Sequence, residues 1–137
     1  MYIKPKTLFF IGFFIFIAVL HLWAIATSGY YYIWWLDIAL HFLGGFWLGS
    51  MGIYLLSRIN FELNSTAFIF LILLALVSLG GVFWEFFEYG YDQIFAARGL
   101  GPLAQIDIGD TMGDLLMDLL GGILAHFIFL KGKTRRK

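Results

Sequence analysis

The chain has no cysteine, and only 13% of its 137 residues are charged. Without thiols, the protein can form neither disulfide bonds nor thiolate metal sites. Soluble chains carry about 25% charged residues, so the low charge content argues against a soluble domain. The rest of the composition agrees, because 61% of the residues are hydrophobic and the mean hydropathy is +0.87.

Several sequence signatures of catalysis are also missing. The chain contains no G-x-S-x-G nucleophile motif, no P-loop and no dinucleotide-binding fingerprint. The metal-binding patterns H-E-x-x-H and E-x-x-H are absent as well. The sequence therefore gives no support to soluble nucleophilic catalysis, and any metal site must be assembled from residues on separate segments.

Long apolar stretches dominate what is present. Each is close to the roughly 20 residues that a membrane-spanning helix needs, and continuous runs of this length are helical in lipid. The first run is longer than a signal-peptide core and lacks a convincing cleavage site, so we expect it to be retained. The predicted fold class is an all-α integral membrane protein, a single four-transmembrane-helix bundle over residues 1–137, with spans at about 7–26, 36–56, 67–89 and 111–130.

Basic residues predict the orientation of this bundle. On the side of the membrane where the second and fourth spans begin, Arg98 is the one basic residue. The positive-inside rule then places both termini in the cytoplasm, for a multi-pass protein of the bacterial inner membrane. The basic residues on the opposite, cytoplasmic side are Lys4, Lys6, Arg58, Lys131, Lys133, Arg135, Arg136 and Lys137.

Carboxylates show the reverse asymmetry. Of the nine carboxylates, only Glu62 does not lie on the outer side of the membrane. An ionised side chain at the bilayer centre costs roughly 2.5–3.5 kcal/mol on insertion scales, so a chain that places several in its spans is expected to use them. The eight outer carboxylates are Asp37, Glu85, Glu88, Asp92, Asp107, Asp110, Asp114 and Asp118.

Polar residues recur at helical spacing, so three spans each carry one polar face. From the rise per residue, His41, Glu85 and Asp114 lie at matched depths of roughly 5–9 Å below the outer boundary, and we expect their side chains to converge. Glycine pairs beneath them allow the helices to approach closely. The stripes are Asp37, His41, Gly45 and Gly49; Ser78, Gly81, Glu85, Glu88 and Asp92; and Asp110, Asp114, Asp118, Gly122 and His126, and the pairs are Gly44-Gly45, Gly80-Gly81 and Gly121-Gly122.

Other features surround this predicted site. The first span contributes only His21, and for His21 and His126 hydrogen-bonded packing is the expected role. Residues 30–32 and 34–35 are aromatic and predict an interfacial belt.

The outer loop, residues 92–109, is too short to span the membrane and is expected to lie on the membrane surface or to fold over the site. Arg98 within it pairs either with one of the acids or with a lipid headgroup.

Crowded carboxylates in a low-dielectric interior cannot all ionise without compensation, and three functions remain open. A metal-dependent enzyme acting on a lipid or headgroup substrate would use a divalent cation, with His41, Glu85 and Asp114 carrying the reaction. A proton- or ion-coupled transporter would use the acids as a relay, and four helices make a small transporter unless the protein forms a homo-oligomer. An accessory subunit would use them for packing. Membrane lipids are the expected partners, and nucleic acid is not. The candidate metal ligands are His41, Glu85, Glu88, Asp110, Asp114 and Asp118.

Three motifs occur in order along the chain: Asp37-x-x-x-His41-Phe42-x-Gly44-Gly45, Trp84-Glu85-x-x-Glu88, and Gly109-Asp110-Thr111-x-x-Asp114-Leu115 followed by Gly121-Gly122. Together they resemble the YjdF-type bacterial inner-membrane family and, more distantly, the VanZ-like family, over about residues 35–124. The resemblance implies an integral membrane protein without an assigned molecular activity. VanZ-like members tend to have Asn at position 118 and Gln at position 88, so this chain carries two additional acids, which favours a cation. The functional set that the resemblance implies is Asp37, His41, Glu85, Glu88, Asp110, Asp114 and Gly121.

Overall fold

The computed structural model describes residues 7–58 and 65–130, and helices account for most of them. Four long helices are joined by short connections, one of which forms a single additional helical turn. A 3-10 turn, Ala96–Arg98, lies in the loop before the last helix. The helices are α1 (Thr7–Thr27), α2 (Gly29–Tyr32), α3 (Leu36–Arg58), α4 (Thr66–Ile94) and α5 (Ile108–Leu130).

The four long helices, α1, α3, α4 and α5, are each long and apolar enough to cross a membrane, which confirms the predicted fold class. The main difference is at the end of α4, which continues five residues past the predicted boundary to Ile94. The connection to α5 is therefore shorter than expected, residues 95–107. Glu62 and the basic residues other than Arg58 and Arg98 lie outside the described residues, so the predicted orientation stays a prediction.

Helices α3 and α5 run side by side in the same direction, with glycines at their contact. A Cβ on Gly45 would overlap the backbone of Asp118, and a Cβ on Gly121 would overlap the carbonyl oxygen of Phe42. Further along, a Cβ on Gly49 would come within 3.0 Å of the Gly122 Cα atom. The backbones thus touch, as the glycine pairs predicted, because only glycine leaves room for this approach.

Helix α4 runs in the opposite direction and completes a three-helix group with α3 and α5. At the end away from α2, Ile53 packs with Ile69 and Leu73 in a buried apolar cluster. Nearer the other end, a Cβ on Gly81 would lie 2.5 Å from Asp118 Oδ2, so this glycine makes room for a carboxylate. The α3–α4–α5 group is therefore apolar at one end and polar at the other.

Helix α1 packs on the outside of this group, as predicted. Its backbone approaches α2 and α3 but neither α4 nor α5 within the described residues. Trp47 of α3 donates a 2.9 Å indole hydrogen bond to the carbonyl oxygen of Phe10, and Ala24 is buried against Leu36 and Leu40. Most other α1 side chains are exposed and apolar, as contact with lipid requires.

The chain reverses between α1 and α3 at Ser28, whose φ of 56° lies in the left-handed region. The aromatic residues that follow were predicted to form an interfacial belt. Tyr31, Tyr32 and Trp34 are indeed highly exposed there. Tyr30 differs, because its hydroxyl turns inward and forms a hydrogen bond with Nδ1 of His21.

Candidate functional site

Four side chains from α3, α4 and α5 meet at the polar end of the three-helix group. Each offers one potential ligand atom, and these atoms all lie within 4.8 Å of one another. All four residues are buried, with exposed fractions between 2% and 6%. The expected convergence of His41, Glu85 and Asp114 is therefore present. We call this set the inner cluster: His41, Glu85, Glu88 and Asp114.

The imidazole of His41 lies at the centre of the acids. Its Nε2 atom is 3.9 Å from Asp37 Oδ1, 4.0 Å from Glu88 Oε1 and 3.9 Å from Asp114 Oδ2. These separations exceed the roughly 3.2 Å upper range of an N–H···O hydrogen bond. Nε2 is fully buried and has no hydrogen-bond partner among the described residues.

The other ring nitrogen, Nδ1, faces Asp118 Oδ2 at 3.4 Å. An ionised carboxylate can only accept a hydrogen bond, so this contact requires the proton on Nδ1. In the neutral ring that leaves the Nε2 lone pair directed toward three carboxylate oxygens. Lone pairs and carboxylates repel one another, and either a proton on Nε2 or a cation between the ring and the oxygens relieves that repulsion.

A second group of acids adjoins the first and shares Asp114 with it. Ligand atoms of Asp37, Asp110 and Asp114 also lie within 4.8 Å of one another. Asp37 and Asp110 are only partly buried, and the Asp37 side chain is 21% exposed. This rim group, Asp37, Asp110 and Asp114, therefore opens toward the end of the bundle, whereas the inner cluster is enclosed.

The loop of residues 95–107 folds over the inner cluster, which was one of its two predicted arrangements. Asp92, at the end of α4, accepts hydrogen bonds from the backbone N–H groups of Ala104 (2.7 Å) and Gln105 (3.0 Å). The side-chain amide of Gln105 then donates to Glu85 Oε2 at 2.6 Å and to Thr111 Oγ1 at 3.1 Å. Asp92 thus holds the loop in position, and Gln105 closes one side of the cluster.

Helix α5 begins with two carboxylates that fix the backbone ahead of Asp114. Asp107 directly precedes the helix, and its Oδ1 accepts from the backbone N–H groups of Gly109 (2.6 Å) and Asp110 (3.1 Å). Such capping satisfies N–H groups that have no partner within the first turn. Asp110 Oδ2 accepts from the backbone N–H of Ile106 at 3.0 Å, which joins the rim group to the loop.

Helix α1 reaches the site through Trp84. The indole N–H of Trp84 donates a 2.9 Å hydrogen bond to Glu88 Oε1, and its ring contacts His21 edge-on with centroids 4.9 Å apart. His21 in turn bonds to Tyr30. Burial, followed by the negative charge of Asp37, raises the pKa of the Tyr30 phenol, which keeps it protonated. His21 therefore has the packing role that was expected of it.

Not all predicted site residues join these two groups. Asp118 lies behind His41, on the Nδ1 side, instead of among the inner-cluster donors. The Arg98 side chain is exposed and forms no ion pair within the described residues. His126 lies at the far end of α5, where its ring contacts Phe70, and it borders an open cavity of about 220 Å³.

Sequence reasoning missed Gln105 and Trp84 as contributors to the site. Gln105 has a weak signal in the sequence, because it is a polar amide in a loop of mostly apolar residues. Trp84 stands next to Glu85 in one of the recognised motifs, but its indole bonds to Glu88 one helical turn later. The signal that could have found it is the i, i+4 spacing on α4.

The chain belongs to the family described as predicted membrane protein (DUF2238), whose model matches residues 3–135. No curated protein and no solved structure matches it. With four helices able to span a membrane, it is a multi-pass membrane protein with a buried cluster of histidine and carboxylates.

Proposed function

We propose that this membrane protein binds a divalent cation in the inner cluster and is a metal-dependent enzyme acting on a lipid or lipid-headgroup substrate. The observation that carries the proposal is the buried Nε2 atom of His41, which has no hydrogen bond and faces three carboxylate oxygens at 3.9–4.0 Å. Glu85 Oε1 is likewise buried without a hydrogen-bond partner among the described residues. A polar network that served only packing would be expected to satisfy such atoms.

The separations suit an ion held between the donors. Two metal–ligand bonds of about 2.0–2.2 Å separate their ligand atoms by at most about 4.0–4.4 Å, when the two ligands lie on opposite sides of the ion. The donors, within 4.8 Å of one another, would therefore move closer together around a bound ion. One imidazole with three carboxylates suits a first-row divalent ion such as Mn²⁺ or Fe²⁺, since imidazole favours Fe and Zn, whereas carboxylates favour Mn and Mg.

Asp118 supports the same assignment. A histidine that ligates a metal almost always donates its other ring N–H to a carboxylate or carbonyl oxygen, which fixes the tautomer and directs the ring. The contact between His41 Nδ1 and Asp118 Oδ2 has this arrangement. Asp118 is thus a positioning residue for His41. Gly81 allows the arrangement, because any larger residue there would meet the Asp118 carboxylate.

The predicted orientation of the helices determines on which side of the membrane the proposed reaction takes place. Both termini are proposed to be cytoplasmic, in the bacterial inner membrane, from the Lys and Arg asymmetry of the sequence. The cluster then lies near the headgroups of the outer leaflet. A bound divalent ion would polarise a substrate oxygen or activate water there. The likeness to YjdF-type and, more distantly, VanZ-like proteins supports the choice of these residues and implies no substrate.

The proposal is tested with protein reconstituted in lipid nanodiscs and loaded with Mn²⁺. Glu88→Gln removes one ligand charge but keeps an oxygen that can accept from Trp84, so we expect its Mn²⁺ affinity to fall at least tenfold. Asp107→Asn is the matched control, because asparagine also caps helices well, and its affinity should be unchanged. Equal Mn²⁺ affinity in Glu88→Gln and the parent would refute the site.

The enzymatic part needs a separate measurement. Nanodiscs containing a bacterial lipid extract are incubated with Mn²⁺-loaded protein, and the lipids are compared by mass spectrometry before and after. We expect a headgroup-altered product that is absent with chelator and with Glu88→Gln. If Mn²⁺ binds but no lipid changes, the protein is not an enzyme of these lipids.

Transport of protons or ions is the second candidate, and one observation favours it. Below the inner cluster, Ser50 Oγ and His126 Nδ1 are buried without hydrogen-bond partners among the described residues, and they could continue a polar path. Between the inner cluster and His126, the backbones of Gly49 and Gly122 are in close contact, which opposes such a path. Proton uptake into proteoliposomes that is lost in His126→Phe would favour transport over the enzyme.

A further inference from the structure

The rim group adds a second cation position to the one already proposed. We infer that the protein binds two divalent cations, one in the inner cluster and one in the rim group, bridged by the Asp114 carboxylate. This inference rests on the proposed function and extends it from one ion to two. Asp114 is the only residue that belongs to both groups within the described residues.

The environment of Asp114 is the independent observation. The residue is 2% exposed, yet its carboxylate accepts no hydrogen bond from the described residues. Its nearest ion-pair partner there is Nε2 of His41, at 3.9 Å. A buried carboxylate without hydrogen bonds is costly unless a proton or a cation neutralises it. One oxygen can face the inner cluster while the other faces Asp37 and Asp110.

The number of carboxylates leaves room for two ions. The two groups and Asp118 contain six carboxylates, and the described part of the chain offers only two arginines. Arg58 donates its hydrogen bonds to Tyr54, and Arg98 is exposed without an ion pair among those residues. One divalent ion in the inner cluster leaves the carboxylates of Asp37 and Asp110 without a cation between them. A second ion there compensates them directly.

The two positions differ in access. Asp37 is 21% exposed at its side chain, whereas the Asp114 side chain is 3% exposed. The rim ion would therefore keep coordination positions for water or substrate, and the inner ion would be enclosed by Gln105 and Glu85. Carboxylate-bridged ions lie roughly 3.5–4 Å apart, where both can contact one substrate group.

The number of bound ions tests this inference separately from the proposed function. Nanodisc-embedded protein is equilibrated with Mn²⁺, and metal per chain is counted by mass spectrometry. We expect two ions in the parent and in Asp107→Asn, and one in Asp110→Asn, where the amide oxygen can still accept from Ile106. Glu88→Gln should also retain only one, the rim ion.

Electron paramagnetic resonance then checks the bridge. Two Mn²⁺ ions sharing a carboxylate are magnetically coupled, so we expect a broadened spectrum in the parent and a six-line spectrum in Asp110→Asn. One ion in both the parent and Asp110→Asn would overturn the second site while leaving the proposed function standing. Two uncoupled ions would overturn the bridge, and no bound ion would overturn both proposals.

Discussion

Gln105 donates a 2.6 Å hydrogen bond to Glu85, twenty residues earlier in the chain, and so joins the loop of residues 95–107 to the inner cluster. The same amide also donates to Thr111 at the start of α5. The loop is therefore held from both sides, by α4 and by α5. If the proposed ion is bound, this closure should slow its exchange.

Replacing Gln105 with alanine removes both side-chain donors while leaving the backbone bonds to Asp92 in place. We expect Mn²⁺ to be stripped by chelator several times faster from Gln105→Ala than from the parent. Stopped-flow mixing with a chelator measures the rate. Gln93→Ala is the control, because Gln93 is exposed at the end of α4. Equal stripping rates in all three proteins would contradict a closing role for the loop.

The glycine contact between α3 and α5 leads to a stability prediction. A Cβ at position 121 would overlap the Phe42 carbonyl oxygen, so Gly121→Ala must push the two backbones apart. Overpacking of this kind costs about 1–3 kcal/mol, and we expect the free energy of unfolding to fall by that amount. Denaturant titration in mixed micelles measures it.

Gly113→Ala, on the same helix, is the matched control for this substitution. A Cβ at position 113 would meet nothing within 4 Å, so its stability should be unchanged or slightly higher. If Gly121→Ala proved as stable as Gly113→Ala, the close approach of α3 and α5 would be wrong.

Ion binding should depend on pH, because the ligands must be free of protons before they can coordinate a metal. We expect Mn²⁺ affinity to fall as the solution is made more acidic, and protons to be released on binding at neutral pH. Calorimetric titration in two buffers with different ionisation enthalpies counts those protons. An affinity that does not change with pH would exclude coordination through His41 and the carboxylates.

The orientation can be tested with introduced cysteines, because the chain has none of its own. In right-side-out membrane vesicles, an impermeant thiol reagent should label Ser28→Cys and Gly99→Cys but not Asn60→Cys or Lys137→Cys. Permeabilised vesicles provide the control for reactivity. Labelling of position 60 from outside would reverse the topology and move the site to the cytoplasmic face.

Much of this arrangement could be predicted from the sequence because it depends on helical periodicity. His41, Glu85 and Asp114 each lie on the polar face of an apolar helix, and a lipid environment leaves only the bundle interior for such faces. Matched depth then requires them to meet. Gly45 and Gly121 could be interpreted in the same way, since small residues at regular spacing indicate close helix contact.

The roles of Asp118 and Gln105 could not be predicted in this way. Periodicity places Asp118 on the same face as Asp114, but the side of the imidazole it contacts depends on the rotation of the His41 ring. Gln105 lies in a loop, where no period relates residues to one another. Its contact with Glu85 depends on Asp92 accepting two backbone N–H groups, and that pairing exists only in the folded protein.

The direct backbone contact of α3 with α5 also determines when the site can form during synthesis. These helices are separated in the chain by α4, so α3 enters the membrane well before its partner exists. Until α5 is translated, the glycine face of α3 lies open and Asp37 and His41 have no Asp114 to approach. Assembly of the acidic site must therefore wait for α5, which carries Asp110 and Asp114.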